Sequence, residues 1–282
     1  MAITEFIPEV WSAQLLQSFL KQTKFASPTV VNRNYEGEIA NAGDTVHITS
    51  ISRPTIAPYV KNTTAITFET LTDAQRALVA DQCYYFAFEV DDIDKRQSAN
   101  GGALMTEAAR EAGAGLAENS DTYVQTIMES DVEATNKIGA TAVTTSALAV
   151  ARLVAHKQLL DEDNVPAEGR YTIVPSWFHS LLVLDANFMM YDAVTSGGRL
   201  TNGVVGRALG FDIIQANYAL STGDDWYVYS GHPSAITFAD QINKVEALRP
   251  ESAFSDALKG LHVYGAKVTR PSAICMTLCS VT

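Results

Sequence analysis

Apolar residues recur at helical spacing in some stretches of the chain and alternate with polar ones in others. From Leu104 through Ala108, Ala112, Leu116, Tyr123 and Ile127 they fall on one narrow stripe. That spacing predicts a helix of roughly 25 to 30 residues, about 40 Å long at ~1.5 Å per residue. Gly113 and Gly115 weaken it locally. A second stripe of Ala149, Val150, Leu153, Val154 and Leu160 follows Thr145 and Ser146, either of which can cap it, and LLDEDNVPAEGR stops it. SWFHSLLVLDANF reads as a third helix with Ser176 as its cap.

Strand-like alternation appears at Val46 and Ile48, again at Ile66 and Phe68, and then along QCYYFAFEV, where Tyr84, Phe86, Phe88 and Val90 share one face. The first two predict a long hairpin whose extended tip carries Pro54 and Pro58. An isolated two-stranded hairpin is marginal in water, so this one leans on something else. RYTIVP, FDIIQAN, WYVYS and AITFA supply further strands, with the glycine-rich SGGRLTNGVVGRALG as a loop. Residues 137–240, a mixture of helices and strands, form a second domain. The tail segments INKVEALRP, GLHVYGAKVT and SAICMTLCSV are expected to pair with QCYYFAFEV and with each other. Near the N-terminus, PEVWSAQLLQSFLKQ places Trp11, Leu15, Leu16 and Phe19 at helical spacing. It is either a helix on its own core or an arm lying on a neighbouring subunit.

Composition narrows the classes. The 282 residues are 47% apolar, enough for a sizeable core, and no apolar run approaches the ~20 residues of a membrane-spanning helix. A soluble protein without a membrane is the expectation. Glu5 and Glu9 stand where a secretory signal wants a basic segment and an unbroken apolar run. A net charge of −12 with scattered basic residues argues against tight gripping of phosphate backbones. Cys83, Cys275 and Cys279 are odd in number and fit a reducing compartment. On one strand, Cys275 and Cys279 share a face with Cα atoms about 13 Å apart, too far for a bridge, and read as buried thiols.

Candidate chemistry is sparse. GHPSAITFADQ brings His232, Ser234 and Asp240 close in sequence, the content of a serine hydrolase, but no GxSxG elbow occurs and Gly231 with Pro233 makes an ordinary turn. Asp91, Asp92 and Asp94 lack the spacing of a calcium loop and read as a charged strand-to-helix turn. His47, His156, His179, His232 and His262 show no zinc spacing. Gly203, Gly206 and Gly210 match neither phosphate-loop pattern, and Asp224 with Asp225 reads as a solvated turn. The expectation is no enzyme, no cofactor and no metal.

Six segments in order carry a resemblance: FIPEVWSAQLL, NYEGEIANAGDTVHI, DQCYYFAFEVDDID, LLDEDNVPAEGRYTIVPSWF, NGVVGRALGFDI, and the run from SGHPSAITFADQ to KGLHVYGAKVTRP. With them the chain resembles the major capsid proteins of tailed bacteriophages. The resemblance implies an α+β fold of the Hong Kong 97 type. Carried over, residues 1–35 are an N-terminal arm and 36–75 an extended hairpin, the E-loop. Residues 76–136 with 241–282 are a peripheral domain holding the long spine helix, and 137–240 an axial domain. It implies hexamers and pentamers of an icosahedral head enclosing double-stranded DNA, assembled in the bacterial host cytoplasm and found in the virion. A separate scaffolding protein and a portal are the implied partners, with the DNA contacted non-specifically. Trp11 and Phe19 in the arm, and Arg53, Lys61 and Glu69 in the hairpin, are the expected inter-subunit contacts. Some relatives cross-link through a Lys and an Asn with an assisting Glu; Lys61 is the one placed candidate, with no partner assigned. The alternatives are an encapsulin-like compartment shell, which the same fold builds, and a soluble serine hydrolase using Ser234 and His232.

Overall fold

The structure is a computed structural model that describes residues 23–35, 45–51, 54–59, 61, 68, 70, 73–93, 103–185, 206–217, 221–251 and 254–281. In chain order these residues form β1 (Thr45–Ile51), β2 (Asp73–Val79), β3 (Gln82–Asp91) and the long helix α1 (Ala103–Asp131). Then come β4 (Lys137–Ala142), α2 (Ser146–Glu162), β5 (Tyr171–Val174) and α3 (Ser176–Val183). The remainder is β6 (Arg207–Ala208), β7 (Phe211–Gln215), β8 (Ser221–Thr222), β9 (Asp225–Gly231), β10 (Ile236–Leu248), β11 (Ser255–Val268) and β12 (Ile274–Ser280).

Three sheets result. β1 and β2 form an antiparallel hairpin in the register Thr45↔Val79 to Ile51↔Asp73. β10, β11 and β3 form an antiparallel three-stranded sheet in that order. The third is seven-stranded, in the order β4-β12-β9-β5-β7-β6, with β8 paired to β9.

Helix α1, 29 residues long, matches the length its stripe predicts. Its buried line runs through Ala109, Leu116, Ala117, Ser120, Asp121, Val124, Gln125 and Met128, while Ala112, Tyr123 and Ile127 are half-buried on its flank. The stripe read from large apolar residues is thus displaced, because the helix turns polar groups inward where they find partners. Helix α2 is capped by Thr145, whose side chain accepts the Leu148 N–H at 3.4 Å. Its buried face is Ala149, Leu153, His156 and Leu160, and Val154 is exposed. At α3 the residue flanking the N-terminus is Pro175, extended at φ −69° and ψ 160°, and Ser176 is already the first helical residue rather than the cap.

The second strand of the hairpin lies later than the alternation predicts. Phe68 stands outside any strand and is 97% exposed, whereas β2 begins at Asp73 and buries Leu78. Burial, not alternation, selects the pairing partner. The tail also departs from expectation. AITFA and INKVEAL are one continuous strand, β10, which crosses position 240/241 without a break. β11 pairs with β3 as expected, from Ser255↔Asp91 to Tyr264↔Gln82. SAICMTLCSV does not join it: β12 is inserted between β4 and β9 of the seven-stranded sheet. Its apolar residues are buried on both faces, which suits a central strand.

The main core fills the space between one face of the seven-stranded sheet (Tyr171, Ile173, Tyr229), the C-terminal half of α1 (Val124, Met128) and the three-stranded sheet (Phe238, Tyr264). Phe25, Val30 and Val31 from the N-terminal side enter the same core. On the opposite face of the seven-stranded sheet, α2 and α3 bury Leu153, Phe178 and Leu182 against Val174, Val228 and Cys279.

Candidate assembly surfaces

Residues 23–35 form a clasp between α1 and the three-stranded sheet. The Asp121 carboxylate, fully buried on α1, accepts the backbone N–H of Lys24 at 2.6 Å and of Ala26 at 2.7 Å. Asn32 then bridges β10: its N–H donates to the Ile236 carbonyl at 2.8 Å, and its carbonyl accepts the Phe238 N–H at 3.0 Å. Arg33 completes the clasp, 3.4 Å from Asp240 with its guanidinium 5.2 Å from the Phe238 ring centroid. Backbone held by a buried charge is the strong kind of hydrogen bond. Residues 24–33 are therefore tied to both α1 and β10. Nothing in the hydrophobic pattern marked Asp121; the available signal was an acid at four-residue spacing from Ala117 and within one turn of Val124 on a buried stripe.

The hairpin is rooted on the outer face of the three-stranded sheet. Val46, Leu78 and Ala80 bury against Ala239 and Val263. Close approach requires Gly265, where a Cβ would meet the Val79 carbonyl oxygen at 2.2 Å. Arg76 donates to the Val268 carbonyl at 2.8 Å, and Asp81, just beyond β2, accepts the Tyr123 hydroxyl of α1 at 2.9 Å. Past this root the described residues 54–59, 61, 68 and 70 are all exposed. Ile56 is 81% and Tyr59 66% exposed. These two side chains, three positions apart, leave apolar surface open to a partner.

A second uncovered area lies further along the same sheet face, where Tyr85, Leu261 and the Lys259–Glu246 ion pair (2.9 Å) line an open cleft. Phe86 crosses to the other face and lies over Gly260, where a Cβ would meet its ring at 2.3 Å.

His232, Ser234, Asp240 and His156 each have defined partners. His232 Nδ1 lies 2.8 Å from the Ser234 hydroxyl and accepts the Ser234 N–H at 3.2 Å, so the ring caps the 3₁₀ turn Pro233–Ala235. Asp240 faces Arg33 and His262, the latter at 3.5 Å, and takes no part in that pair. His156, fully buried on α2, bonds Ser230 on β9 at 2.7 Å and Thr277 on β12 at 2.5 Å, and Ser230 in turn bonds Thr172 on β5 at 2.8 Å. Burial lowers its pKa from 6.5 to about 4, with nearby Arg152 adding to the effect. It is a neutral strut between helix and sheet. Cys275 and Cys279 are buried, and burial pushes both thiols up to about 12, while Cys83 is exposed. Asp91 accepts the Ile93 N–H at 2.7 Å and Asp92 pairs with Arg249, a charged turn after β3. Leu209 at φ 53° and Gly210 at φ 89° make the tight turn between β6 and β7. Among the described residues no three His, Cys, Asp or Glu are grouped to hold a metal, and no helix is long and apolar enough to cross a membrane.

A family model described as phage capsid protein matches residues 81–277, from the start of β3 into β12. The chain belongs to that family. Among solved structures it is similar to a protein of Mycobacterium phage Che8, at 32% identity over 91% of each chain with a TM-score of 0.75. The capsid of Cyanophage P-SCSP1u follows at 16% identity, covering 86% of this chain and 85% of that one, with a TM-score of 0.69. The mature capsid of bacteriophage PhiM1 has 16% identity, 83% and 82% coverage and a TM-score of 0.64. No curated protein sequence matches the chain. The α+β fold is of the Hong Kong 97 type.

Of the contact residues expected for this capsid protein, Lys61 is described and exposed. Trp11, Phe19, Arg53 and Glu69 lie outside the described residues, as do Asp94 and Gly203.

Proposed function

We propose that this capsid protein assembles with copies of itself into the hexamers and pentamers of an icosahedral head enclosing double-stranded DNA. The observation that carries the reading is the contrast along the hairpin: a small rooted cluster at Val46, Leu78 and Val263, and beyond it Ile56, Tyr59 and Phe68 exposed at 81%, 66% and 97%. Burying one such side chain contributes about 1.5–3 kcal/mol, so a ring of subunits that covers them gains substantially at each contact. The same contact repeated by rotation closes a ring.

Residues 1–35 are then the arm and 36–75 the E-loop, with Trp11, Phe19, Arg53, Lys61 and Glu69 at subunit contacts. Residues 76–136 with the β10–β11 pair form the peripheral unit. The axial unit is 137–235 together with β12, since that strand lies in its sheet and β10 starts at Ile236. A scaffolding protein, a portal and packaged DNA are the partners, assembly is in the bacterial host cytoplasm and the final location is the virion. A net charge of −12 suits a container that holds DNA without gripping it.

One observation favours a second reading, an encapsulin-like shell: similarity to the virus-like particle from Pyrococcus furiosus, at 14% identity over 95% of this chain and 98% of that one, TM-score 0.60. The contents decide. Nuclease-protected DNA in purified particles supports the phage head; protein cargo without DNA supports the compartment. A small discrete oligomer with esterase activity abolished by Ser234→Ala would support the hydrolase instead.

A further inference from the structure

Where the clasp, the hairpin root and the ends of β10 and β11 converge, a cavity of about 230 Å³ is lined by Asn32, Tyr35, Arg76, Ser234, Thr269 and Arg270. Sites for small-molecule ligands run to roughly 300–1,000 Å³, so this one has the size of a single side chain. Its walls are set. The Thr269 hydroxyl donates toward the Ser234 and Ala235 carbonyls, 3.0 Å from each, and the Ser234 hydroxyl is tied to His232 at 2.8 Å. Arg76 is steadied through one nitrogen by the Val268 carbonyl at 2.8 Å, which leaves most of its five N–H donors for another partner.

The two arginines, like Arg152, differ from those that have an acid beside them. Arg33, Arg110, Arg170, Arg207 and Arg249 each have a carboxylate within 4.0 Å. Arg76 and Arg270 have none among the described residues, although the chain carries 32 acids to 20 lysines and arginines. Unmatched guanidinium pairs bind carboxylates in planar, bidentate fashion.

We propose that this cleft receives an aspartate or glutamate side chain from a second copy of the chain, making the hairpin root a charge-reading contact between subunits. The proposal rests on the shell reading above. Charge complementarity selects the occupant, since a second copy brings a surplus of twelve negative charges. A nucleic-acid strand is disfavoured, because its binding needs many phosphates neutralised along a track, and here two cations stand in one recess.

The test compares wild-type, Arg270→Lys and Arg270→Glu chains for shell yield and thermal unfolding, and images the wild-type particle by electron cryomicroscopy. Arg270→Glu is expected to lower shell yield at least ~10-fold by placing like charges together, with the unfolding midpoint unchanged because Arg270 is exposed; Arg270→Lys retains most assembly. In the map, a carboxylate of another copy lies within hydrogen-bond distance of Arg76 or Arg270. Wild-type yield from Arg270→Glu overturns the proposal, as does a map with only solvent, an acid of the same chain or a phosphate in the cleft. Should Arg270→Glu unfold earlier than wild type, the map alone decides. Normal shells from Arg270→Glu leave the shell reading intact; a wild-type chain that forms no shells ends both.

Discussion

The buried carboxylate of Asp121 holds the backbone N–H of Ala26 at 2.7 Å across 95 positions of sequence, and with that of Lys24 it fixes residues 24–26 against α1. Asp121→Ala would leave the amides of Lys24 and Ala26 without this acceptor, so a loss of about 2–3 kcal/mol in urea unfolding is expected. Asp121→Asn keeps one acceptor oxygen and is expected to lose less. Trypsin cleavage after Lys24 should accelerate in both variants, in the same order.

Two glycines are expected to respond oppositely to alanine. At Gly265 a Cβ would lie 2.2 Å from the Val79 carbonyl oxygen and 2.9 Å from the Ala80 Cα, so the hairpin root must move; Gly265→Ala should cost about 1–3 kcal/mol. Gly115 sits on an exposed turn of α1, where an added methyl group would meet nothing within 4 Å, and Gly115→Ala should stabilise by up to about 1 kcal/mol. Thermal unfolding of the two variants checks both signs.

Acid should loosen the junction of α2 with the sheet. His156 has a folded pKa of about 4, while the unfolded imidazole titrates near ~6.5, so the unfolded chain takes up its proton first as pH falls. The stabilisation is fully present above pH ~6.5 and is lost progressively down to about 4, an amount of order 3 kcal/mol. Other groups titrate in this window, so the readout is a difference: between pH 7.5 and 4.5, wild type should lose more stability in urea than His156→Gln.

Much of the fold was legible from periodicity, because a long helix and buried strands leave strong signals. The length of α1 and the pairing of QCYYFAFEV with the tail followed from pattern, and the structure chose Thr145 over Ser146 as the cap of α2. What failed had a common cause. Alternation at Ile66 and Phe68 says nothing of whether either face finds cover, and β2 formed where Leu78 could be buried. Position along the chain suggested that SAICMTLCSV would join its sequence neighbours, but long-range pairing placed it between β4 and β9. Proximity in sequence grouped Asp240 with His232, whereas the extended β10 carries Asp240 away to Arg33 and His262. Asp121 escaped notice because an acid in an apolar stripe looks like an interruption until its backbone partners are known.

The most direct measurement is sedimentation and electron microscopy of the purified chain beside a Phe68→Asp variant. Phe68 is 97% exposed, so the substitution should leave unfolding unchanged while removing apolar surface from the hairpin. Closed icosahedral shells built of hexamers and pentamers are expected from wild type, and a large loss of shells from Phe68→Asp. A wild-type chain that stays monomeric at high concentration, or a Phe68→Asp variant that builds shells as readily as wild type, would contradict assembly through the hairpin.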